Sequence, residues 1–154
     1  MMTTPTEPLL AGTAPGHDHL EWVSAHGARV QTRDGRELID FTSGVFVANT
    51  GHCHPRVVAA VQAQAAQLLN CYDAPHPLRA EVVRRLTGLA GPSFDAVSLT
   101  TTGAEAIDSA VKAAKAFTGR YETLSFSWGF HGKTLAALSL SGLPGTRRGV
   151  GPVM

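Results

Sequence analysis

The sequence is poor in cysteine, aromatic residues and charge. Of its 154 residues, 2 are cysteine, 6% are aromatic and 16% are Asp, Glu, Lys or Arg. Two cysteines cannot build a disulfide framework, and the first residues lack the apolar stretch of a signal peptide, so we expect a cytoplasmic protein. The net charge is +1 with no long basic run, which argues against nucleic acid as a partner. No apolar stretch has the ~20 residues of a membrane span, so no membrane partner is expected either.

The hydrophobic content, 44% of the residues, is sufficient for a packed core. Residues 1–16 are rich in Thr and Pro and are predicted to form a flexible arm. Residues 17–25 are predicted to form a short helix or a lid-like segment. The Asp34-Gly35 pair separates two alternating runs, 28–32 and 37–41, and this pattern predicts a β-hairpin.

The rest of the chain alternates in type. Apolar residues at helical spacing predict helices at about 55–69, at 78–89 with an end at Gly91-Pro92, and at 105–117. Short apolar runs at 96–99 and 121–126 predict strands. Strand, helix and strand joined by short links are typical of an α/β protein with a largely parallel sheet.

The strongest candidate for a binding site is the predicted strand-to-helix turn at Thr102, Gly103 and Ala104. A helix start presents unpaired N–H groups and partial positive charge, so it binds phosphate readily. Gly103 lets an anion approach the backbone, and the Thr102 hydroxyl adds a donor. The alternative is an ordinary turn with Thr102 as the N-cap.

A second glycine-bounded stretch, residues 127–134, contains Phe130 and His131. Loops after successive parallel strands open on the same side of an α/β sheet. A phosphate at the first turn and a flat ring beside the second would suit a phosphorylated planar molecule. The alternative is that Phe130 belongs to the core and His131 caps a turn.

Four motifs in order, residues 34–41, 49–55, 102–106 and 130–132, resemble those of the class III pyridoxal-phosphate-dependent aminotransferases of fold type I. This is the ornithine and 4-aminobutyrate type. The resemblance implies an N-terminal segment at 17–54 that helps to form the small domain and substrate pocket. It implies that 55–154 begin the large mixed-sheet α/β domain, which binds pyridoxal 5'-phosphate (PLP).

The same resemblance implies the roles of individual residues. Thr102, Gly103 and Ala104 would bind the PLP phosphate, Phe130 would stack on the pyridine ring, and His131 would complete that turn. Val45 and Phe46 would line the substrate pocket. Lys133 stands where 4-aminobutyrate aminotransferases have an Arg; Lys supplies the charge without the bidentate fork.

The function that the resemblance implies is amino-group transfer between an amino acid or ω-amine, such as 4-aminobutyrate, and a keto acid, in a homodimer. The chain resembles an N-terminal fragment, with the lysine that forms the imine expected beyond Met154. Two alternatives stay open, a 2,2-dialkylglycine decarboxylase and a non-catalytic truncated module. The decarboxylases have Gln where this chain has Val45. Metal binding by residues 52–54 is not expected, because adjacent positions cannot close a tetrahedral site.

Overall fold

The computed structural model describes residues 20–148. The predicted arm at 1–16 lies outside them. The chain divides into two compact units, 20–73 and 74–148 within the described part. Among the described residues, no helix combines the length and apolar character needed to cross a membrane. The predicted boundary between the N-terminal segment 17–54 and the large domain stays a prediction. The helix that follows residue 54 lies in the first unit.

The first unit is built on a three-stranded antiparallel sheet. Its strands are β1 (Trp22–His26), β2 (Arg29–Thr32) and β3 (Glu37–Ile39), in that spatial order. Val30 lies opposite Leu38 and is fully buried. The predicted hairpin is confirmed, with Gly35 supplying the positive φ of its turn, +83°.

The prediction of a short helix or lid at 17–25 was wrong. Residues 22–26 form a strand that pairs with β2, with Ala25 opposite Val30. The segment is too short for its pattern of apolar and polar residues to distinguish a helix from a strand. The neighbouring hairpin has an unpaired edge, and only a strand can form hydrogen bonds along such an edge. Residues 17–19 lie outside the described part.

Two helical segments complete the first unit. A single turn, α1 (Ser43–Phe46), precedes α2 (Pro55–Ala65). The N-cap of α2 is His54, with proline at the first helical position as predicted. The helix ends four residues before the predicted residue 69, because the chain turns after Ala66, where the Gln64 side chain donates to the Leu68 carbonyl at 2.7 Å.

The second unit contains α3 (Pro77–Ala90), α4 (Gly103–Thr118) and α5 (Leu135–Leu140). The end of α3 at Gly91 is confirmed, with φ +94° at that residue. Gly119 ends α4 in the left-handed conformation at φ +67°. The buried residues of this unit lie on and just after α5, which packs against α4, and they are Ala137, Leu138 and Ser141.

The two segments predicted as strands, 96–99 and 121–126, are not assigned as strands. A strand requires a hydrogen-bonded neighbour, and neither segment has a ladder partner within residues 20–148. Their apolar side chains are exposed accordingly, with Leu124 at 100% and Phe126 at 86%. The two runs have the composition of strands, but the described residues contain no strand that pairs with them.

Candidate functional site

The predicted phosphate turn lies at the start of α4. Thr102 is the N-cap in an extended conformation, and its hydroxyl oxygen accepts a hydrogen bond from the Glu105 amide at 3.2 Å. The Glu105 carboxylate in turn accepts from the Thr101 amide at 2.9 Å. Within the described residues, the amides of Gly103 and Ala104 have no acceptor. The helix therefore presents two unpaired N–H groups at its positive end.

Gly132 lies directly against this turn. A Cβ at Gly132 would lie 2.6 Å from the Ala104 Cβ and 2.9 Å from its Cα, and the backbone has φ +129°. Only glycine fits both the contact and this conformation. The structure thus brings together the predicted phosphate turn, residues 102–104, and the loop predicted to lie beside the ring, residues 130–132.

The loop that contains Phe130 and His131 is tied to the end of α5. The Gly142 amide donates to the Gly129 carbonyl at 2.8 Å, and the Trp128 amide donates to the Gly142 carbonyl at 3.2 Å. The His131 amide donates to the hydroxyl oxygen of Ser141 at 3.2 Å. Phe130 is 54% exposed, so about half of its surface is open to solvent.

The start of α5 is tied to α4 by a single carboxylate oxygen. Oδ1 of Asp108 accepts from the Thr134 hydroxyl at 3.0 Å and from the Ala137 amide at 2.9 Å. Thr134 is the N-cap residue of α5 but makes no side-chain cap of its own. Asp108 therefore caps a helix other than its own. Lys133, just before Thr134, is exposed.

The predicted pocket residues Val45 and Phe46 lie in the first unit, on the turn α1. Their φ angles are +60° and +67°, and Ser43 and Gly44 are at +51° and +59°. Four consecutive residues are thus left-handed, a conformation that costs an L-residue roughly 1–2 kcal/mol. Both side chains are mostly exposed, Val45 at 77% and Phe46 at 84%.

Asp40 holds this left-handed turn. Its Oδ1 accepts from the Thr42 amide and hydroxyl, both at 2.7 Å, and from the Ser43 amide at 3.0 Å. Its Oδ2 contacts Nε2 of His52 at 2.8 Å. The hydrogen bond with His52, followed by those with Thr42, lowers the pKa of Asp40 from 3.8 to about 2. Asp40 is therefore a carboxylate at neutral pH.

Asp40, Asp108 and Ser141 are missing from the sequence prediction. Asp40 had a usable signal, because Asp followed two and three residues later by Thr and Ser is an Asx-turn pattern. Asp108 and Ser141 had none, since their partners lie on other elements. The predicted roles of Val45, Phe46, Thr102, Gly103, Ala104, Phe130, His131 and Lys133 stay predictions.

Comparison with solved structures gives the class of architecture first. The ornithine aminotransferase of Toxoplasma gondii, described with partial occupancy of PLP at its active site, is 28% identical with a TM-score of 0.74. The match covers 93% of this chain and 36% of that one. The chain thus has the mixed α/β architecture of fold type I transaminases.

The sequence comparisons define the family. The profile of the family Aminotransferase class-III matches residues 13–154. Acetylornithine aminotransferase of Halalkalibacterium halodurans is 39% identical over 132 residues, or 85% of this chain. The 5-aminovalerate aminotransferase DavT of Pseudomonas putida is 42% identical over 122 residues, or 77% of this chain. The chain belongs to the class III aminotransferase family.

The chain spans about a third of the length of these relatives. It covers 34% of the acetylornithine enzyme and 29% of the 5-aminovalerate enzyme.

Proposed function

We propose that this chain supplies the phosphate-binding and ring-binding part of a PLP-dependent aminotransferase. The observation that supports this proposal most is the start of α4, where two amides without acceptors in the described residues meet a glycine that approaches them closely. Membership of the class III family makes PLP the phosphorylated ring compound to test.

The residues present fit the phosphate group of PLP. The amides of Gly103 and Ala104 can each donate to a phosphate oxygen, and the positive end of α4 favours the dianion. The Thr102 hydroxyl accepts from Glu105, which leaves its proton for a third phosphate oxygen. A side chain at Gly132 would fill the space against Ala104.

Phe130 and His131 are proposed to hold the ring. Phe130 is half-exposed, and an aromatic ring can stack in an offset arrangement on a pyridine ring. When bound, PLP supplies a protonated pyridine ring that withdraws electrons from the reacting carbon of the substrate. What this chain contributes is position: α4 fixes the phosphate and the loop fixes the plane of the ring.

The substrates are proposed to be an ω-amine or amino acid and a keto acid. The names of the two relatives, acetylornithine and 5-aminovalerate aminotransferase, fit an enzyme that takes a terminal amine. Val45 and Phe46 would pack against the carbon chain of the substrate, and the Lys133 ammonium would attract its carboxylate. A homodimer and a cytoplasmic location are part of the same proposal.

The test uses the chain with 4'-deoxypyridoxine 5'-phosphate, which keeps the ring and phosphate of PLP but lacks the aldehyde, so the three lysines cannot form imines with it. Binding is measured by equilibrium dialysis for the wild type, Thr102→Ser and Thr102→Ala. Thr102→Ser keeps the hydroxyl and should bind within about twofold of the wild type. Thr102→Ala loses the N-cap and a donor, together worth about 1 kcal/mol or more, and should bind at least fivefold more weakly. Equal affinity of all three proteins would contradict the assignment of this turn.

A further inference from the structure

We propose that Asp108 is a positioning residue that sets the ring-binding loop at a fixed distance from the phosphate turn. The inference rests on the proposed function of those two segments. It concerns a residue that touches neither the phosphate nor the ring and acts through α5.

The first step is the contact between the two helices. Asp108 lies five residues after Gly103, so it is on the second turn of the helix whose first turn would bind the phosphate. Its Oδ1 accepts from the Ala137 amide at 2.9 Å and from the Thr134 hydroxyl at 3.0 Å. A displacement of α5 away from α4 by ~1 Å would lengthen these hydrogen bonds beyond their normal range. The carboxylate therefore fixes α5 to the phosphate-binding helix.

The second step passes from α5 to the loop through Ala137 and Ser141, both fully buried. The Ser141 hydroxyl donates to the Ala137 carbonyl at 3.0 Å and accepts from the His131 amide at 3.2 Å. Ala137 thus bonds to Asp108 through its N–H and to Ser141 through its C=O. One short path leads from the carboxylate to the backbone beside Phe130.

The third step is the contact of Gly132 with both α5 and the phosphate turn. The position of a Cβ at Gly132 lies 3.1 Å from the Ala137 Cβ as well as 2.6 Å from the Ala104 Cβ. The loop is therefore held between α5 and the phosphate turn. A phosphorylated ring is a rigid molecule, so both of its binding segments must be correctly spaced at once, and an error of ~1 Å is costly.

This arrangement predicts a selective effect. Loss of the Asp108 acceptor should release α5 and the loop while the amides of Gly103 and Ala104 keep their place. Affinity for inorganic phosphate should then survive, and the additional affinity that the ring provides should fall. A residue that merely supports the fold would lower both affinities together.

The experiment compares Asp108→Ala with Asp108→Asn. A single oxygen of Asp108 accepts both hydrogen bonds, so the asparagine carbonyl can replace it while the charge is removed. Asp95→Ala is the matched control, because Asp95 is an exposed acid in the same unit. Each protein is titrated with inorganic phosphate and with 4'-deoxypyridoxine 5'-phosphate.

For Asp108→Ala we expect phosphate affinity within about twofold of the wild type and at least a fivefold loss for the ring-bearing ligand, the size of one ordinary hydrogen bond. Asp108→Asn and Asp95→Ala should match the wild type for both ligands. Equal losses for the two ligands, or no loss for either, would overturn the inference. A wild type that binds neither ligand would instead overturn the proposed function.

Ser141→Ala tests the same path from its other end, should Asp108→Ala fail to fold. It removes the acceptor of the His131 amide, and the same selective loss is expected. Ser139→Ala is its control, because the Ser139 hydroxyl also donates to a carbonyl four residues earlier, that of Leu135, at 2.6 Å. Identical behaviour of the two serine variants would reject the path through Ser141.

Discussion

Asp40 in the first unit and Asp108 in the second are both acceptors that hold a predicted site segment, but they act over different distances along the chain. Asp40 bonds to residues two and three positions ahead, and beyond those to His52. Asp108 bonds to residues 26 and 29 positions ahead. The first carboxylate shapes its own loop, and the second joins two helices.

The backbone that each one holds differs as well. Asp40 stabilises four consecutive left-handed residues, which would otherwise relax because an L-residue in this conformation costs roughly 1–2 kcal/mol. Asp108 stabilises the start of an α-helix that has no side-chain cap of its own. Loss of Asp40 should therefore change the backbone conformation of the turn that it holds. Loss of contacts in the second unit should instead change the distance between the ring-binding loop and the phosphate turn.

The largest effect is expected for Gly132→Ala in the second unit. The new Cβ would lie 2.6 Å from the Ala104 Cβ, so the loop must move away from the phosphate turn, and overpacking of this kind costs about 1–3 kcal/mol. We expect the affinity for 4'-deoxypyridoxine 5'-phosphate to fall about tenfold or more in equilibrium dialysis.

Gly145→Ala is the control for that variant. Gly145 also has a positive φ, +82°, but a Cβ there would meet no described atom within 4 Å. It should lower stability without changing ligand affinity. Wild-type affinity in Gly132→Ala would show that the contact does not set the distance between loop and turn.

A smaller effect is expected for Asp40→Ala in the first unit. The amides of Thr42 and Ser43 lose their acceptor, so their hydrogen exchange should become about fivefold faster, the size of one lost hydrogen bond. Asp40→Asn keeps an acceptor oxygen at the same place and should retain most of the protection. Exchange that spreads over the whole unit in Asp40→Ala would mean that the carboxylate supports more than its own loop.

The smallest effect is the acid response of the first unit. The pKa of Asp40 is lowered to about 2 in the fold, chiefly by His52, from an ordinary value of 3.8. The folded state therefore binds fewer protons, so the stabilisation is complete above about pH 4 and is lost as the pH falls toward 2. Trp22, whose ring meets the His52 ring edge-on at 6.3 Å between centroids, reports on this loop.

The measurement is Trp22 fluorescence during acid titration, in a Trp128→Phe background that removes the other tryptophan. Asp40→Asn should be less sensitive to acid than the parent between pH 4 and 2. Some acid sensitivity should persist, because the pKa of Asp34 is also lowered to about 2 by hydrogen bonds from Arg36 and Thr32. Unchanged sensitivity in Asp40→Asn would assign the acid response to the hairpin turn instead.

Local signals in the sequence were reliable where a few neighbouring residues decide the structure. The Asp34-Gly35 turn, the proline start of α2 and the glycine end of α3 follow from preferences that act within about four residues. The candidate phosphate turn was predictable for the same reason, because Thr102 and Gly103 are adjacent. The mixed α/β class was implied by the resemblance to the class III aminotransferases, and the comparison with solved structures confirms it.

The sequence did not predict structure correctly where a segment depends on a partner far away along the chain. The strand β1 was predicted as a helix or lid, because its character comes from pairing with β2. The apolar runs at 96–99 and 121–126 have strand composition, yet the described residues provide no ladder for them. Strand formation requires a partner, whereas a helix satisfies its own backbone.

By itself, the sequence determined the start of α2, the end of α3, the hairpin and the grouping of Thr102, Gly103 and Ala104, because each depends on bonds within one short segment. Only the tertiary structure decided that Gly132 lies against Ala104, that Asp108 caps α5, and that Asp40 contacts His52. Those contacts join residues 12 or more positions apart. Their geometry depends on how helices and strands pack, which no local preference specifies.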